Sequence, residues 1–505
     1  MNYTLMPSLE HMAFIRIATT LWNQDDIGAL TAKFYFRSLI LSERRREWQT
    51  IEDEVIGKVP GLLLPESMKK RALYFIKPIG LEILKWKEYH EDLLSDRRFV
   101  RKNLNRLCWT PQGTVDKKKT AEVLIKDENL DITKRYKLAC IYCLENDILE
   151  LWNKMPESRR KSFYNEEDPR YVNQQDLVVL WTYDIKGEVN KLDSMIERRW
   201  QSNCSPYQYA FEYAAVGGNK SAAEYFLQKL TPQERKESLV RSAGYVAKRR
   251  CTSGGNRTDF PKEHYADVLC FLLSQMDEEE QIEVFKSYPY EVLKCFLDWP
   301  WQSLFMETAR RIWPFLSEEG YNLLLRLIVN KTIDGYKDYN YQKLFAMFWQ
   351  QSPATHKRYV IDECSNGLLL SKMLSIEDEG NTRLILKDAT LIEKKKLIFS
   401  SRGEDICQDL IYGNKWDFLE FFIRECIPSN DEMVKFREEF KECMTWCCSK
   451  EEFAKSKDKW DKFFELLDDL IEKGNRKRGM DGANSIPAKK LCGIEFGEIT
   501  NGITK

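Results

Sequence analysis

A helix-start signal that recurs along the chain is the feature that most restricts its fold. The signal is a Ser, Thr, Asp or Pro that follows an apolar residue and precedes charged and then apolar residues. Clear examples are "KMPESRRKSF", "LTPQERKESL" and "QSPATHKRYV", at Pro156, Pro232 and Pro353. Weaker examples lie at Ser194, Asp277, Ser317, Thr390 and Pro428. Successive signals are 36 to 45 residues apart, most often about 38, which predicts a repeated helical unit.

The spacing of apolar residues also predicts helices. In "WDFLEFFIREC", Trp416, Leu419 and Ile423 form one stripe at intervals of three and four residues. Only 23 Gly and 16 Pro occur among 505 residues, and few segments alternate apolar and polar residues as strands do. We therefore expect an all-α protein, a solenoid of helical hairpins that bury their apolar faces against each other. An irregular all-helical domain is the alternative, because helices of ordinary length also start at comparable intervals.

The segment "YAFEYAAVGGNKSAAEYFLQKL" carries a resemblance to a known family. Its small pair Ala214 and Ala215, the turn at Gly218 and Asn219, and the following "AAEYFL" resemble the two helices of an ankyrin repeat and the tight turn between them. "LIYGNKWDFLEFFIREC" and "LACIYCLENDILELW" are looser versions. The Thr-Pro-Leu-His opening of ankyrin repeats is absent, and the period of about 38 residues exceeds their 33. The resemblance implies a degenerate ankyrin-like array, of the kind found in expanded invertebrate families, and it implies protein binding.

Three zones follow from this pattern. We expect a helical N-terminal region over residues 1–130, a hairpin array over 131–473 and a flexible, disordered basic tail over 474–505. In the tail, Arg476, Lys477 and Arg478 precede Lys489 and Lys490 by about ten residues, the spacing of a bipartite nuclear import signal. A solvated tail without a targeting role is the alternative, because the second cluster has only two basic residues.

The "GGNKS" at residues 217–221 is interpreted as a turn and not as a phosphate-binding loop. A Walker-type loop follows a strand and needs a Gly directly before its Lys. Here Asn219 separates Gly218 from Lys220, and helical sequence precedes the glycines. Gly and Asn are the residues that accept left-handed backbone angles at a helix end.

Cysteine and histidine patterns lead us to expect no metal, cofactor or catalytic site. Cys140 and Cys143 form a single C-x-x-C without a second pair. The cluster Cys443, Cys447 and Cys448 is interpreted as structural packing in the same way, with metal or redox chemistry as the alternative for both. The four His stand alone in sequence, and no G-x-S-x-G signature occurs.

Four further motifs are assigned structural roles. "DWPW" at residues 298–301 and "IWPF" at residues 312–315 are expected to end one helix and seat the next, with exposed binding ridges as the alternative. The basic clusters "SERRREWQ" and "IEKKKLI" are expected to be solvated helix faces.

Charge and hydropathy limit the partners. The chain has 78 basic and 79 acidic side chains, and this balance does not favour nucleic acid. No run approaches the roughly 18 apolar residues of a membrane span, no signal-peptide pattern is present, and the cysteines fit a reducing compartment. We therefore predict a cytoplasmic or nuclear, non-enzymatic scaffold that binds a protein partner. The alternatives are a nuclear or nucleic-acid-associated regulatory factor that uses the basic tail, and an enzyme whose residues are scattered among helices.

Overall fold

Helices account for the regular secondary structure of the described residues. The computed structural model describes residues 3, 5–34, 41–90, 93, 104–200, 204–252, 265–364, 368–447 and 456–483. Within that part, strand-like pairing is limited to an isolated antiparallel bridge between Trp109 and Val115. The prediction of an all-α protein is confirmed.

The helices are numbered here in chain order. The first group is α1 (Leu9–Trp22), α2 (Asp25–Lys33), α3 (Leu41–Lys58), α4 (Glu66–Tyr89), α5 (Lys117–Ile125), α6 (Ile132–Ile141), α7 (Glu145–Lys154), α8 (Glu157–Arg160), α9 (Asp176–Ile185) and α10 (Asp193–Trp200). The second group is α11 (Pro206–Val216), α12 (Lys220–Leu227), α13 (Pro232–Thr252), α14 (Tyr265–Gln275), α15 (Glu278–Ser287), α16 (Pro289–Cys295), α17 (Phe305–Ile312), α18 (Glu318–Ile333), α19 (Tyr341–Gln351) and α20 (Ala354–Cys364). The third group is α21 (Leu368–Ser375), α22 (Glu379–Asp388), α23 (Leu391–Ile398), α24 (Ser401–Tyr412), α25 (Trp416–Cys426), α26 (Asn430–Cys447) and α27 (Lys457–Ala483). Short 3-10 helices are Val59–Gly61, Leu104–Arg106, Pro169–Tyr171, Val189–Leu192 and Trp301–Leu304.

Six of the eight predicted helix starts are confirmed; of the other two, Ser194 is the second residue of α10 and Pro428 lies two residues before α26. The side chains of Asp277, Ser317 and Thr390 each accept a hydrogen bond from the backbone N–H three residues later. In α15 and α23 the third residue is Glu, and its carboxylate binds back to the cap N–H, which completes a capping box. Proline marks three further starts, since α13 begins at Pro232 and α8 and α20 begin directly after Pro156 and Pro353.

One kind of turn recurs between the helices. Seven described residues have positive φ, and six of them lie directly after a helix with the same pair of backbone hydrogen bonds. In each, the left-handed residue donates to the carbonyl three residues before it, and the next residue donates to the carbonyl five residues before it. The six left-handed residues are Cys143, Gly187, Gly218, Gly335, Glu377 and Asn414.

Helices pack in two rows along residues 132–351. In one row α6 contacts α9, α9 contacts α11, α11 contacts α13, α13 contacts α16, and α16 contacts α18. In the other row α12 contacts α14, α15 contacts α17, and α17 contacts α19. Helices two or three positions apart along the chain are thus neighbours.

The N-terminal helices pack against the middle of these rows. The His11 ring of α1 stacks on Trp299, with centroids 5.4 Å apart, and Phe75 of α4 meets the same indole edge-on at 5.9 Å. The indole Nε1 of Trp299 donates to the carbonyl oxygen of Gly113, at 3.1 Å. The region over residues 1–130 is therefore bound to residues far along the chain, and is not confined to one end of the rows.

The chain divides into two compact units, Met1–Val360 and Ile361–Lys505. The boundary falls within α20, whereas the sequence zones end at residues 130 and 473. In the second unit α21 contacts α22 and α24, α23 contacts α25, and α24 contacts α27. Among the described residues of both units, no helix combines the length and apolarity needed to cross a membrane.

Candidate functional site

A tyrosine-rich loop joins α18 to α19 in the first unit. Helix α18 ends at Ile333, and Gly335, with a φ of 76°, reverses the chain in the left-handed conformation that glycine adopts without strain. At the other end of the loop, the Asn340 side chain accepts a hydrogen bond of 2.9 Å from the backbone N–H of Lys343 and caps α19. Both ends of the loop are therefore fixed by the helices that flank it.

An open groove of about 510 Å³ lies at this loop. Its walls are Tyr74 of α4, Thr332 and residues 336–342. Tyr74 is 42 % exposed, whereas Tyr336 and Tyr341 are 7 % and 2 % exposed. The first ring is therefore accessible to a ligand, and the other two form the buried base. The volume lies within the roughly 300–1,000 Å³ of typical ligand sites.

Two lysine side chains hold the Tyr336 ring. The Nζ atom of Lys77 in α4 lies 4.5 Å from the ring centroid, and the Nζ atom of Lys331 in α18 lies 4.3 Å from it. Lys77 also donates a hydrogen bond of 2.6 Å to the carbonyl oxygen of Asp334. Cation–π contacts contribute about 0.5–2 kcal/mol each, the larger value where the cation is buried as Lys331 is, so the base of the groove is fixed to both helices.

Charged side chains are buried in pairs next to the groove. Arg250 of α13 donates to both carboxylate oxygens of Asp298, at 2.5 and 2.7 Å. The Nζ atom of Lys331 lies 3.9 Å from Asp298, and in α4 Lys85 pairs with Glu82 at 2.8 Å. Burial by itself would raise the pKa of Asp298, but the charges of Arg250, Lys331 and Lys85 outweigh it and lower the pKa to about 2.

Asp338 lines both the groove and the small cavity between the buried charged side chains. Its carboxylate accepts hydrogen bonds from Nε2 of Gln302 at 2.6 Å and from the Tyr341 hydroxyl at 3.2 Å. A cavity of only about 20 Å³ lies among the charged groups of α4, α18 and Asp298, room for about one water molecule. The cluster therefore supports the groove and offers no ligand pocket of its own.

The groove presents neutral phenols and one exposed cation. Burial raises the pKa of Tyr336, Tyr339 and Tyr341 above the usual value, so all three keep their protons at neutral pH. Lys337 is exposed at the rim, and the Asp338 carboxylate is engaged inside. The aromatic surface available to a ligand is therefore that of Tyr74 and Tyr339, and Lys337 is a hydrogen-bond donor beside it.

A second depression, a cleft of about 590 Å³, contains the turn at Gly218 and Asn219. Gly218 has a φ of 71°. The Asn219 side chain caps α12 by accepting from the N–H of Ala222 at 3.2 Å, and its amide donates to the carbonyl oxygen of Ile141 at 2.8 Å. The interpretation of this segment as a turn is confirmed, and both polar groups of Asn219 are engaged within the protein.

Cationic and anionic side chains are balanced on the walls of this cleft. The lining cations are Lys117, Lys118 and Lys220, and the lining anions are Asp116, Glu224 and Asp267. Each carboxylate has an internal partner: Asp116 caps α5, Asp267 accepts from the Trp301 indole at 2.5 Å, and Glu224 lies 3.4 Å from Lys220. Equal numbers of opposite charges give no strong net field to attract an ion, so the groove is the better candidate.

The C-x-x-C cysteines pack in the core. Cys140 lies on α6 and Cys143 in the turn after it, and they are 0 % and 4 % exposed. Burial raises the pKa of Cys143 to about 12 and that of Cys140 well above its usual value, so neither is a ready thiolate. Within the described part of the chain, no three His, Cys, Asp or Glu side chains are arranged to hold a metal ion. The side chains of Cys443, Cys447 and Cys448 lie outside that part.

The remaining motifs have structural contacts. Lys394 and Lys395 of "IEKKKLI" pair with Glu425 and Glu432, at 2.6 and 2.5 Å, so this cluster links helices of the second unit as well as facing solvent. "DWPW" connects α16 to α17 and "IWPF" connects α17 to α18, which confirms their roles as helix junctions.

The predicted import signal stays a prediction. Arg476, Lys477 and Arg478 lie in α27, which ends at Ala483, so the first ten residues of the predicted tail continue a helix. The side chains of these three residues, and all of Lys489 and Lys490, lie outside the described residues.

Sequence reasoning overlooked the groove. The available signal was "GYKDYNYQ", in which a Gly is followed by three closely spaced Tyr, two before and one after the capping Asn340. Nothing in the sequence relates this loop to Tyr74, which reaches it only through the packing of α4. No protein-family model and no curated protein matches the chain.

Proposed function

We propose that the chain is a non-enzymatic interaction protein, an array of helical hairpins that binds a macromolecular partner, in the first place another protein. The observation that supports this best is the turn of common geometry at six left-handed residues. These residues lie 44, 31, 117, 42 and 37 residues apart, and the longest interval equals three intervals of 39. This spacing agrees with the period of about 38 residues that the helix starts predict.

Contacts between turns favour the same proposal. The amide of Asn219 reaches the carbonyl of Ile141 at the end of α6, so two of the turns are spatial neighbours. In the second unit, Glu377 of one turn pairs with Lys415 of the next at 2.5 Å. The second of these contacts joins consecutive turns, as a stack of hairpins requires, whereas the first joins the turns at Cys143 and Gly218 and passes over the turn at Gly187.

The array is proposed to be of a degenerate ankyrin-like type. Its individual intervals vary from 31 to 44 residues, whereas ankyrin repeats keep a period of 33. The left-handed position is Gly in three turns and Cys, Glu or Asn in the others, so the turn is kept while its sequence varies. Stacked-hairpin proteins present extended surfaces to their partners, and binding is the function we infer by this analogy.

The test is capture of the full chain with its partner from native cells, followed by reconstitution from purified components. We expect a protein partner, with a dissociation constant that changes little between about 50 and 500 mM salt because the interface is not a phosphate backbone. Recovery of nucleic acid alone, with affinity that falls steeply as salt rises, would establish the nuclear alternative instead. Turnover of a small molecule by the purified chain would contradict a non-enzymatic role.

A further inference from the structure

We propose that the groove formed by Tyr74, Tyr336, Tyr339 and Tyr341 binds an extended, proline-containing segment of a partner protein. The proposal deepens the proposed function, on which it rests, because it assigns a surface and a ligand chemistry to the interaction.

The chemistry of the groove matches a polyproline II segment. Such a segment has no internal hydrogen bonds, so its carbonyl oxygens need donors, and its pyrrolidine rings pack on aromatic faces. The Tyr74 hydroxyl, the Asn340 amide N–H groups and the Lys337 ammonium are donors on the groove walls. Proline has no N–H to satisfy, so the groove needs no free acceptor, and its one carboxylate, Asp338, is already bound by Gln302.

The loop is held in place before any ligand binds. Tyr336 is fixed by Lys77 and Lys331, and the Tyr341 hydroxyl is bound to Asp338 and Gln302. A ligand that is already extended and a groove that is already ordered both lower the entropic cost of association. Tyrosine side chains with few rotatable bonds are the usual anchors of such surfaces.

Other modes of peptide recognition fit the groove less well. Strand addition needs an exposed sheet edge, and the described residues contain no strand that could offer one. An amphipathic helix binds a hydrophobic groove, whereas polar side chains such as Lys337, Asn340 and Gln342 line this one.

Single-stranded nucleic acid also stacks on tyrosine, but it needs several cations along its backbone. Lys337 is the one exposed cation among the described groove residues. The nearby Lys77 and Lys331 are committed to the Asp334 carbonyl, to Tyr336 and to Asp298. Charge therefore favours a peptide over a nucleic acid.

The proposal is tested by selection with the full chain against a phage-displayed library of random short peptides. We expect proline to be enriched among the selected peptides. Fluorescence polarisation of a labelled selected peptide should show binding at least about tenfold weaker to Tyr74→Ala and to Tyr339→Ala. Binding of the same peptide should protect residues 332–342 from hydrogen exchange.

A matched control is Tyr171→Ala, which removes an exposed tyrosine (74 % exposed) outside the groove. It should bind the selected peptide as the wild type does. Thermal unfolding of each variant establishes that it is folded. Tyr74→Phe keeps the ring and removes the donor, so its affinity should lie between those of the wild type and Tyr74→Ala.

Several results would overturn the proposal: selected peptides without proline, affinity unchanged in Tyr74→Ala, protection confined to other segments, or preferential binding of oligouridylate in the groove. These results differ from a failure of the proposed function. If a captured protein partner binds the wild type and Tyr74→Ala equally well, the groove assignment is wrong while the interaction role stands. If no protein partner binds the wild type, the interaction role itself is wrong.

Discussion

Arg250 and Asp298 form a bidentate ion pair in the interior of the first unit, with N–O distances of 2.5 and 2.7 Å. Their side chains are 4 % and 10 % exposed. The pair joins α13 to the segment that follows α16, the same segment on which the N-terminal helices pack through Trp299. Buried pairs add little net stability when complete, but loss of one partner leaves an uncompensated charge.

We expect Arg250→Met to lower the free energy of unfolding by about 3 kcal/mol. The physical reason is that Asp298 would keep only the more distant counter-charges of Lys331, at 3.9 Å, and Lys85. Urea unfolding followed by tryptophan fluorescence measures the change. The exposed neighbour Arg249 provides the control, since Arg249→Met should stay within about 0.5 kcal/mol of the wild type. Equal effects of the two variants would contradict a structural role for the buried pair.

Burial of Glu52 leads us to expect that the free energy of unfolding depends on pH. Its side chain lies in α3, is 3 % exposed and accepts a hydrogen bond from the Trp48 indole at 2.9 Å. Burial raises the pKa of Glu52 to about 7, against the lowering effects of the Lys77 charge and of the Trp48 hydrogen bond. A pKa higher in the folded than in the unfolded state means that the folded protein binds the proton more tightly. The resulting stabilisation is complete below pH 4.5, the pKa of Glu52 in the unfolded state, and it is lost as the pH rises to about 7, its pKa in the folded state.

Glu52→Gln should therefore be more stable than the wild type at about pH 8, by up to about 3 kcal/mol, and the difference should shrink as pH falls toward 5. The amide keeps an oxygen that can accept from Trp48, so the variant removes the charge and little else. Unfolding free energies of both proteins across this pH range provide the measurement. Glu54→Gln, at an exposed position of the same helix, should show no such trend, and a pH-independent difference for Glu52→Gln would refute the assignment.

Asn219 is expected to stabilise helix α12 and its contact with the end of α6 together. Asn219→Ala removes the cap of α12, worth about 1 kcal/mol, and leaves the buried carbonyl of Ile141 without its donor, which costs about a further 1–3 kcal/mol. Asn340→Ala, which removes an exposed cap of α19, should cost only about 1 kcal/mol. Chemical unfolding of both variants compares the two costs. If they were equal, the bond from Asn219 to Ile141 would contribute nothing measurable.

Local sequence was sufficient to predict the helix starts at Asp277 and Thr390. Asp277 with Glu280 and Thr390 with Glu393 form capping boxes because the groups that interact are three residues apart. The same holds for Gly218 and Asn219, whose residue types suit a left-handed turn. Glu377 adopts the same turn with a φ of 59°. Its residue type does not indicate such a turn, because side chains other than Gly, Asn and Asp disfavour the left-handed conformation.

The groove depends on long-range packing that no local pattern describes. Tyr74 and Tyr336 are far apart in sequence and meet because Lys77, one turn along α4 from Tyr74, reaches the Asp334 carbonyl and the Tyr336 ring. Likewise, Asp298 was visible only as part of "DWPW", and its partner Arg250 lies on another helix. Residues that are far apart in sequence and meet through packing can be identified as one surface only when the fold is known.

The basic clusters of the C-terminal segment yield a prediction about location. If Arg476, Lys477 and Arg478 act with Lys489 and Lys490 as one import signal, replacing either cluster with alanine should abolish nuclear accumulation of a fluorescent fusion of the full chain, because a bipartite signal needs both clusters. The first cluster lies on α27, so helix-compatible alanine avoids a change of backbone preference there. Replacing Lys394 and Lys395, which form ion pairs with Glu425 and Glu432, controls for the loss of positive charge and should leave location unchanged. An unaltered distribution in both cluster variants would show that the two clusters have no targeting role.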